Sequence, residues 1–203
     1  MKSAVKNVIT LTIITVVAGF LLGYVYDITK QPIADMQEKT KQEAYQKVFA
    51  SASSFEEDSS IDISAGDSVV ANAGIEGVSI NEALLAKDAS GNLLGYVITA
   101  TSHEGYGGDI KISMGIDLNG CMLGVEVLEI SETAGLGMKA DTDDFKNQFR
   151  DKTVNQFVYT KTGATQDFEI DAISGATFTT KAFTNAVNAG LAFFEYIGGA
   201  TNA

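Results

Sequence analysis

The sequence predicts an α+β fold, in which an antiparallel sheet is packed with helices and preceded by one N-terminal transmembrane helix. The first observation behind this prediction is an uncharged apolar run over residues 7–26. The second is a series of short β-forming runs, separated by turn residues, that begins at Glu82. The third is the helical spacing of apolar residues after Thr177. The chain of 203 residues is long enough for one ordinary domain with appendages.

The uncharged run over residues 7–26 predicts a membrane-spanning helix, since about 20 helical residues cover roughly the 30 Å of a bilayer's hydrocarbon core. Lys2 and Lys6 precede the run and Asp27 follows it. The positive-inside rule therefore places residues 1–6 in the cytoplasm and the main domain outside a cell membrane, with lipid around the helix. A cleaved signal peptide is the alternative, but the run is longer than a usual signal core and ends without a small-x-small site.

Residues 27–60 are predicted to connect the membrane to the main domain. Pro32 suits the first turn of a new helix, and apolar residues at helical spacing extend that helix over about 31–50. Residues 51–60 are rich in serine and acidic residues, which is typical of a loop. The main, extracytoplasmic domain is expected to cover residues 61–203.

The main domain is predicted to contain a sheet with one clear hairpin. Asn119-Gly120 lies between two apolar runs, and this dipeptide is a strong hairpin signal. A short helix over 141–149 and a long helix from Thr177 to just before Gly198 are expected to pack on the sheet. The predicted strands cover residues 83–87, 94–101, 110–116, 122–130, 154–160 and 167–171.

Composition excludes several classes of function. The net charge of −12 argues against binding to nucleic acid, which requires basic surface. The single cysteine, Cys121, lies in an apolar run and is expected in the core, and it leaves no internal disulfide or cysteine-based cluster. The single histidine, His103, leaves no room for a metal site with several histidines, so we predict no metal site, and His103 is expected to be an exposed loop residue rather than a proton donor.

The segment Asp171-Ala172-Ile173-Ser174-Gly175-Ala176-Thr177 leads into the last predicted helix. Thr177 is therefore expected at or next to the helix N-cap, where backbone N–H groups lack partners and attract anions. Gly175 and Ala176 leave room for a bulky group near the backbone. By itself, this pattern indicates an exposed hydroxyl at a helix start that suits a phosphate, or an ordinary capping turn. The similar tetrapeptide over 162–165 precedes a strand-like pattern and is interpreted as a turn between strands.

The same segment resembles the flavinylation motif of the FMN-binding domain family. The resemblance implies that Thr177 carries FMN through a phosphoester, and that a flavin transferase recognises Asp171, Ser174, Gly175 and Ala176. This domain occurs in the G subunit of the Rnf complex and in the C subunit of the sodium-translocating NADH:quinone reductase. The motifs of the family follow one another in the expected order over residues 82–195.

Two glycine-rich loops carry the rest of the resemblance. They are Gly105-Tyr106-Gly107-Gly108 and Glu132-Thr133-Ala134-Gly135-Leu136-Gly137, where Ala134 stands in place of the usual proline. Glu132 is a candidate for holding backbone N–H groups. Lys181 is expected either to contact the FMN phosphate or to face water. The candidate flavin contacts are Tyr106, Gly107, Thr133, Gly135, Leu136, Gly137, Ser174, Gly175, Ala176 and Lys181.

The resemblance implies electron transfer by a subunit rather than independent catalysis. The short length and simple organisation of this chain resemble those of the G subunit of an Rnf complex. That complex takes electrons from ferredoxin to NAD and drives ion export. The expected partners are membrane, iron–sulfur and flavin subunits of that complex, together with the flavin transferase. The alternatives are the C subunit of the quinone reductase, a stand-alone flavin carrier, and a tethered extracytoplasmic binding module without flavin.

Overall fold

The computed structural model describes residues 2–198. Met1 of the predicted cytoplasmic segment and residues 199–203 of the predicted main domain lie outside the described residues. The chain divides into two compact units, one up to Lys41 and one from Gln42 onward. The second unit therefore begins before residue 61, where the sequence predicted the main domain to start.

The first helix, α1, covers Lys2–Val48 without a break. It contains the apolar run over residues 7–26, whose side chains are exposed, and it is long and apolar enough to cross a membrane. Pro32 lies inside α1 rather than in the first turn of a new helix. Residues 24–48, which surround Pro32, contain no glycine and many helix-forming residues, and the helix continues through the proline although it lacks an N–H group.

A six-stranded meander forms the body of the second unit, and every neighbouring pair of strands is antiparallel. This confirms the predicted sheet, with an additional edge strand, β1 (Ser54–Glu57), inside the predicted loop over 51–60. Asp117 Oδ1 accepts hydrogen bonds from Asn119 N and Cys121 N, both 2.8 Å, and Gly120 has φ +78° in the predicted hairpin. The strands are β1 Ser54–Glu57, β2 Val78–Lys87, β3 Leu93–Ser102, β4 Ile110–Asp117, β5 Cys121–Ile130 and β6 Lys152–Thr153.

The remaining elements follow or interrupt the sheet. The predicted helix over 141–149 consists of α3 (Asp143–Lys146) and a short 3-10 turn at Asn147–Phe149. The two predicted strands over 154–160 and 167–171 shorten to β7 (Val158–Thr160) and β8 (Glu169–Asp171), which pair in parallel. The tetrapeptide over 162–165 lies in the bends between them, as predicted. These elements are α2 Gly66–Asn72, α3 Asp143–Lys146, β7 Val158–Thr160, β8 Glu169–Asp171 and α4 Thr177–Tyr196.

The sheet of the second unit is covered on both faces. The apolar face of α4, including Phe183 and Phe193, packs with Ile98 and Met114 in the main core. A second buried cluster joins the last turn of α1 to the sheet through Tyr45, Val48, Phe49, Leu84, Ala86 and Val97. Cys121 is only partly buried, at the start of β5, rather than in the core. The amino end of α4 lies beside the β3–β4 loop and the loop after β5, because residues of all three line one cavity.

Candidate functional site

A cavity of about 370 Å³ lies at the amino end of α4. The β3–β4 loop contributes Tyr106, and the loop after β5 contributes Glu132, Thr133, Leu136 and Gly137. The turn before α4 and the first residues of the helix complete the lining with residues 175–179. Its volume lies within the range of about 300–1,000 Å³ typical of small-molecule sites. Three segments that are distant in sequence therefore meet at one ligand-sized space.

Thr177 is the first residue of α4, as the capping pattern predicted. It is half-buried and lines the cavity. Ala176 occupies the N-cap without a side-chain hydrogen bond, so the capping residue does not satisfy the first N–H groups of the helix. Gly175 has φ +79°, a left-handed conformation that lets the chain turn sharply into the helix. Thr180 fixes this turn, because its Oγ1 accepts from Ile173 N at 3.1 Å and donates to Ala176 O at 2.9 Å.

Glu132 joins the two glycine-rich loops. Its side chain is 8% exposed, and Oε1 accepts hydrogen bonds from Tyr106 N at 2.7 Å and Gly107 N at 3.3 Å. A Cβ at Gly107 would overlap Ser131 O, so a larger residue there would push the loops apart. Glu132 thus has the structural role of holding backbone N–H groups, and it also lines the cavity.

Three large side chains with apolar surface remain exposed around the cavity. The exposed fractions are 76% for Tyr106, 44% for Leu136 and 69% for Phe178. Phe178 is the first apolar residue of the helical pattern that predicts the core face of α4, and for Phe178 this prediction is wrong, because its side chain is exposed and lines the cavity. Exposed apolar surface concentrated at one cavity indicates a ligand with an apolar part.

Several candidate residues lie outside this cavity. Lys181 forms an ion pair with Glu104 at 3.1 Å and does not line the cavity. Asp171 Oδ1 accepts a hydrogen bond from Ala164 N at 2.6 Å. Gly107 and Gly135 belong to the flanking loops without lining the cavity themselves.

Ser174 lines a smaller adjoining cavity of about 250 Å³. This second cavity shares Gly175 and Thr177 with the first one and includes Lys161, a cation that the sequence analysis did not select. Phe178, Thr179 and Lys161 were missed because no motif marks them. Only the fact that Phe178 and Thr179 directly follow the Ser-Gly-Ala-Thr segment gave a signal for those two.

His103 lies on the surface beside the first glycine-rich loop. Its Nδ1 is 3.0 Å from Asp109 Oδ1, and its Nε2 is 3.2 Å from Ser79 Oγ. Its side chain is about half exposed, which confirms the expectation of an exposed loop residue. Within residues 2–198, no group of three or more histidine, cysteine, aspartate or glutamate side chains is placed to hold a metal ion.

Comparison with known proteins identifies the same regions. The model of the FMN-binding domain family matches residues 105–192, which contain both glycine-rich loops and the start of α4. The model of the RnfG N-terminal region matches residues 1–48, which include all of α1. Among solved structures, the chain has the fold of the C subunit of the Na⁺-translocating NADH-quinone reductase from Parabacteroides distasonis. The TM-score is 0.52 at 16% identity, over 83% of this chain and 96% of that one.

Two relatives match along nearly their whole length. One is the G subunit of the Na⁺-translocating ferredoxin:NAD⁺ oxidoreductase complex of Acetobacterium woodii, 28% identical over 96% of this chain and 93% of the relative. The other is the G subunit of the ion-translocating oxidoreductase complex of Methanosarcina acetivorans, 30% identical over 92% of each chain. The residues around the cavity, the long apolar helix and these matches agree, and the chain belongs to the family of G subunits of the ion-translocating Rnf oxidoreductase complexes.

Proposed function

We propose that this chain is the membrane-anchored, electron-transferring G subunit of an ion-translocating ferredoxin:NAD oxidoreductase complex, and that it carries FMN as a phosphoester of Thr177. The observation that carries the proposal is the position of Thr177, a half-buried hydroxyl residue that begins α4 and lines a ligand-sized cavity. The relatives that match over most of the chain are named as G subunits. The likeness to the quinone reductase is in the fold alone, so the Rnf function is better supported.

The residues present fit FMN in three respects. The uncapped start of α4 suits a phosphate, because its backbone N–H groups and the positive end of the helix dipole favour an anion. Tyr106, Leu136 and Phe178 provide exposed apolar surface for the ring system. Gly175 adopts a left-handed conformation and has no side chain, so the backbone beside the attachment point stays accessible to a bulky group. FMN, when bound, supplies the capacity to accept and pass on electrons.

Thr177 would hold the flavin in place, while the chain itself would perform no separate catalytic reaction. Asp171, Ser174, Gly175 and Ala176 would be recognised by the flavin transferase. A covalent bond outside the cytoplasm would prevent loss of the cofactor into the surrounding medium. The electron donors and acceptors would be the membrane, iron–sulfur and flavin subunits of the same complex.

The membrane arrangement is the remaining part of the proposal. The apolar run of α1 over residues 7–26 would cross the lipid bilayer once. Lys2 and Lys6 would hold the N-terminus in the cytoplasm, and the FMN-binding domain would then lie on the opposite side of the membrane.

The attachment is tested by comparing Thr177→Val with Thr165→Val in cells that contain the flavin transferase. Thr165 belongs to the similar tetrapeptide, and its hydroxyl donates to Glu169 Oε2 at 3.0 Å. We expect flavin fluorescence to remain on the denatured band of the wild type and of Thr165→Val, and to vanish from Thr177→Val. Mass spectrometry should place the added FMN on the peptide that contains Thr177. Fluorescence retained in Thr177→Val, or absent from the wild type, would favour a tethered binding module instead.

A further inference from the structure

The floor of the cavity contains two buried polar side chains, Glu132 and Thr179. They are 8% and 1% exposed, respectively, and both line the cavity. Glu132 accepts its two hydrogen bonds through Oε1, and within residues 2–198 the structure shows no hydrogen bond to Oε2 or to Thr179 Oγ1. Within residues 2–198, every side-chain oxygen or nitrogen that is fully enclosed has a hydrogen-bond partner. Glu132 Oε2 and Thr179 Oγ1 have none, so they are not fully enclosed and remain open to the cavity that both residues line. A ligand that displaces water from them is favoured if it replaces the lost hydrogen bonds.

Gly137 keeps these two polar atoms accessible from the same small space. A Cβ at this position would lie 2.6 Å from Glu132 Oε2 and 2.7 Å from Thr179 Oγ1. Any side chain on residue 137 would therefore fill the space that both oxygens face. The carboxylate oxygen requires a hydrogen-bond donor, and the threonine hydroxyl accepts or donates. Together they suit a ligand that carries hydroxyl groups.

We propose that Glu132 and Thr179 bind the hydroxyl groups of the ribityl chain of the flavin, an inference that rests on the proposed function. Thr177 and Thr179 both line this cavity, so the side chain of Thr179 borders the same space as the attachment point. The atoms of FMN next to the phosphate are those of the ribityl chain. The ring system lies further away and matches the exposed apolar side chains of Tyr106, Leu136 and Phe178. Glu132 and Thr179 are thus positioning residues, which hold the flavin ring in place by binding the ribityl chain attached to it.

The experiment measures non-covalent binding to the full-length protein, purified from a host without the transferase so that Thr177 is unmodified. Riboflavin and lumiflavin are compared, because lumiflavin has the same ring system without the ribityl chain. The variants are Glu132→Gln, which keeps an oxygen for the N–H groups of Tyr106 and Gly107, and Thr179→Val. The matched control is Thr184→Val, whose equally buried hydroxyl bonds within α4 to Thr180 O at 2.8 Å.

We expect Glu132→Gln to weaken riboflavin binding about tenfold, and Thr179→Val about fivefold, as the loss of a hydrogen bond to a charged or neutral group predicts. Both variants should leave lumiflavin binding within about twofold of the wild type, because its affinity contains no ribityl contact. Thr184→Val should leave both affinities unchanged. Fluorescence quenching of the flavin gives each dissociation constant.

Equal losses for riboflavin and lumiflavin would overturn the inference, because the contact would then be with the ring. Unchanged riboflavin binding in both variants, or no binding of either flavin to the wild type, would also overturn it. The result is independent of the attachment test. If riboflavin binding depends on the ribityl chain but no covalent flavin is found, the proposed phosphoester is contradicted and the ribityl subsite is supported. If Thr177 carries a flavin but binding does not depend on the ribityl chain, the phosphoester is supported and the ribityl subsite is contradicted.

Discussion

The exposed side chains at the cavity show how single residues prepare a binding site. Tyr106, Leu136 and Phe178 leave apolar surface in water, which gives no stability to the free protein. Covering this surface with a flat ring recovers about 25 cal/mol for each Å² removed from water. Their contribution is therefore expected only in the flavin-loaded protein.

Replacing Phe178 by alanine tests this separation. We expect the free energy of unfolding of the unmodified protein to change by less than about 0.5 kcal/mol, because the side chain is exposed. In the flavinylated protein, the substitution should lower the free energy of unfolding by about 1–2 kcal/mol, which is the contribution of one partly buried aromatic contact. Denaturant unfolding of both forms gives the two numbers. Phe168→Ala, another exposed phenylalanine that does not line the cavity, should show no such difference between the forms.

Lys146 is a buried cation outside the cavity. Burial by itself lowers the pKa of Lys146, but the hydrogen bond from its Nζ to Glu126 Oε2 at 2.8 Å and the charge of Glu126 raise it. Asp141 and Asp143 add further negative charge at 3.5 and 3.6 Å from Nζ. The pKa of Lys146 is raised overall above its ordinary value of 10.5.

This raised pKa gives a prediction about stability at alkaline pH. A group whose pKa is higher in the folded state stabilises the fold fully below its unfolded pKa and loses that contribution as pH rises through the folded pKa. The destabilisation caused by Lys146→Met should thus be constant up to about pH 10 and shrink above the ordinary value of 10.5. Chemical denaturation across this range, on wild type and variant, measures it. If the difference in unfolding free energy between wild type and Lys146→Met grew at alkaline pH, the ion-pair explanation would be contradicted. The variant Lys161→Met, an exposed lysine, is the control.

The contact between the last turn of α1 and the sheet depends on a glycine in β4. A Cβ at Gly115 would overlap Val48 O and approach Val48 C to 2.9 Å, so the helix backbone lies directly on the strand. This close approach brings Tyr45, Val48 and Phe49 into their buried cluster. Gly124, which pairs with Gly115 across the hairpin, has room for a Cβ at ordinary contact distances.

We expect Gly115→Ala to destabilise the second unit by about 1–3 kcal/mol, because a backbone atom has to move to admit the methyl group. Gly124→Ala is the matched control on the neighbouring strand and should change stability by less than about 1 kcal/mol. Thermal unfolding of both variants decides between them. Equal effects would show that loss of glycine flexibility, rather than the contact with α1, determines the result.

The whole protein combines a long apolar helix with an acidic main domain. Apolar side chains of α1 over residues 7–26 are exposed, whereas those of the second unit are largely buried. The first helix therefore has the character of a membrane segment rather than of a core helix. The distribution of charge at its ends, with Lys2 and Lys6 before it and Asp27 after it, predicts the direction of crossing.

Single cysteines report this direction. In a Cys121→Ser background, we expect Ser60→Cys, in the exposed turn after β1, to react with a membrane-impermeant maleimide in intact cells. Ser3→Cys should react only after the cells are lysed, because residues 1–6 are predicted to be cytoplasmic. The reverse pattern would contradict the predicted orientation.

Much of the fold was predictable because its signals are local. The uncharged run in α1, the Asn119-Gly120 hairpin and the helical spacing after Thr177 each depend on neighbouring residues. The order of the motifs likewise identified the loops that meet at the cavity. Pro32 was misinterpreted, because proline at the start of a helix and proline within one give the same local pattern.

The sequence by itself therefore determined the α+β class, the apolar helix and the threonine at the start of α4. Only the tertiary structure decided that Phe178 faces the cavity whereas Phe183 enters the core, although both follow the same helical pattern. It alone decided that Glu132 holds the loop of Tyr106 and lies beside Thr179 across Gly137. The physical reason is that the spacing of apolar residues indicates the helix and its apolar face, whereas the surroundings of each side chain depend on segments that lie far apart in the chain.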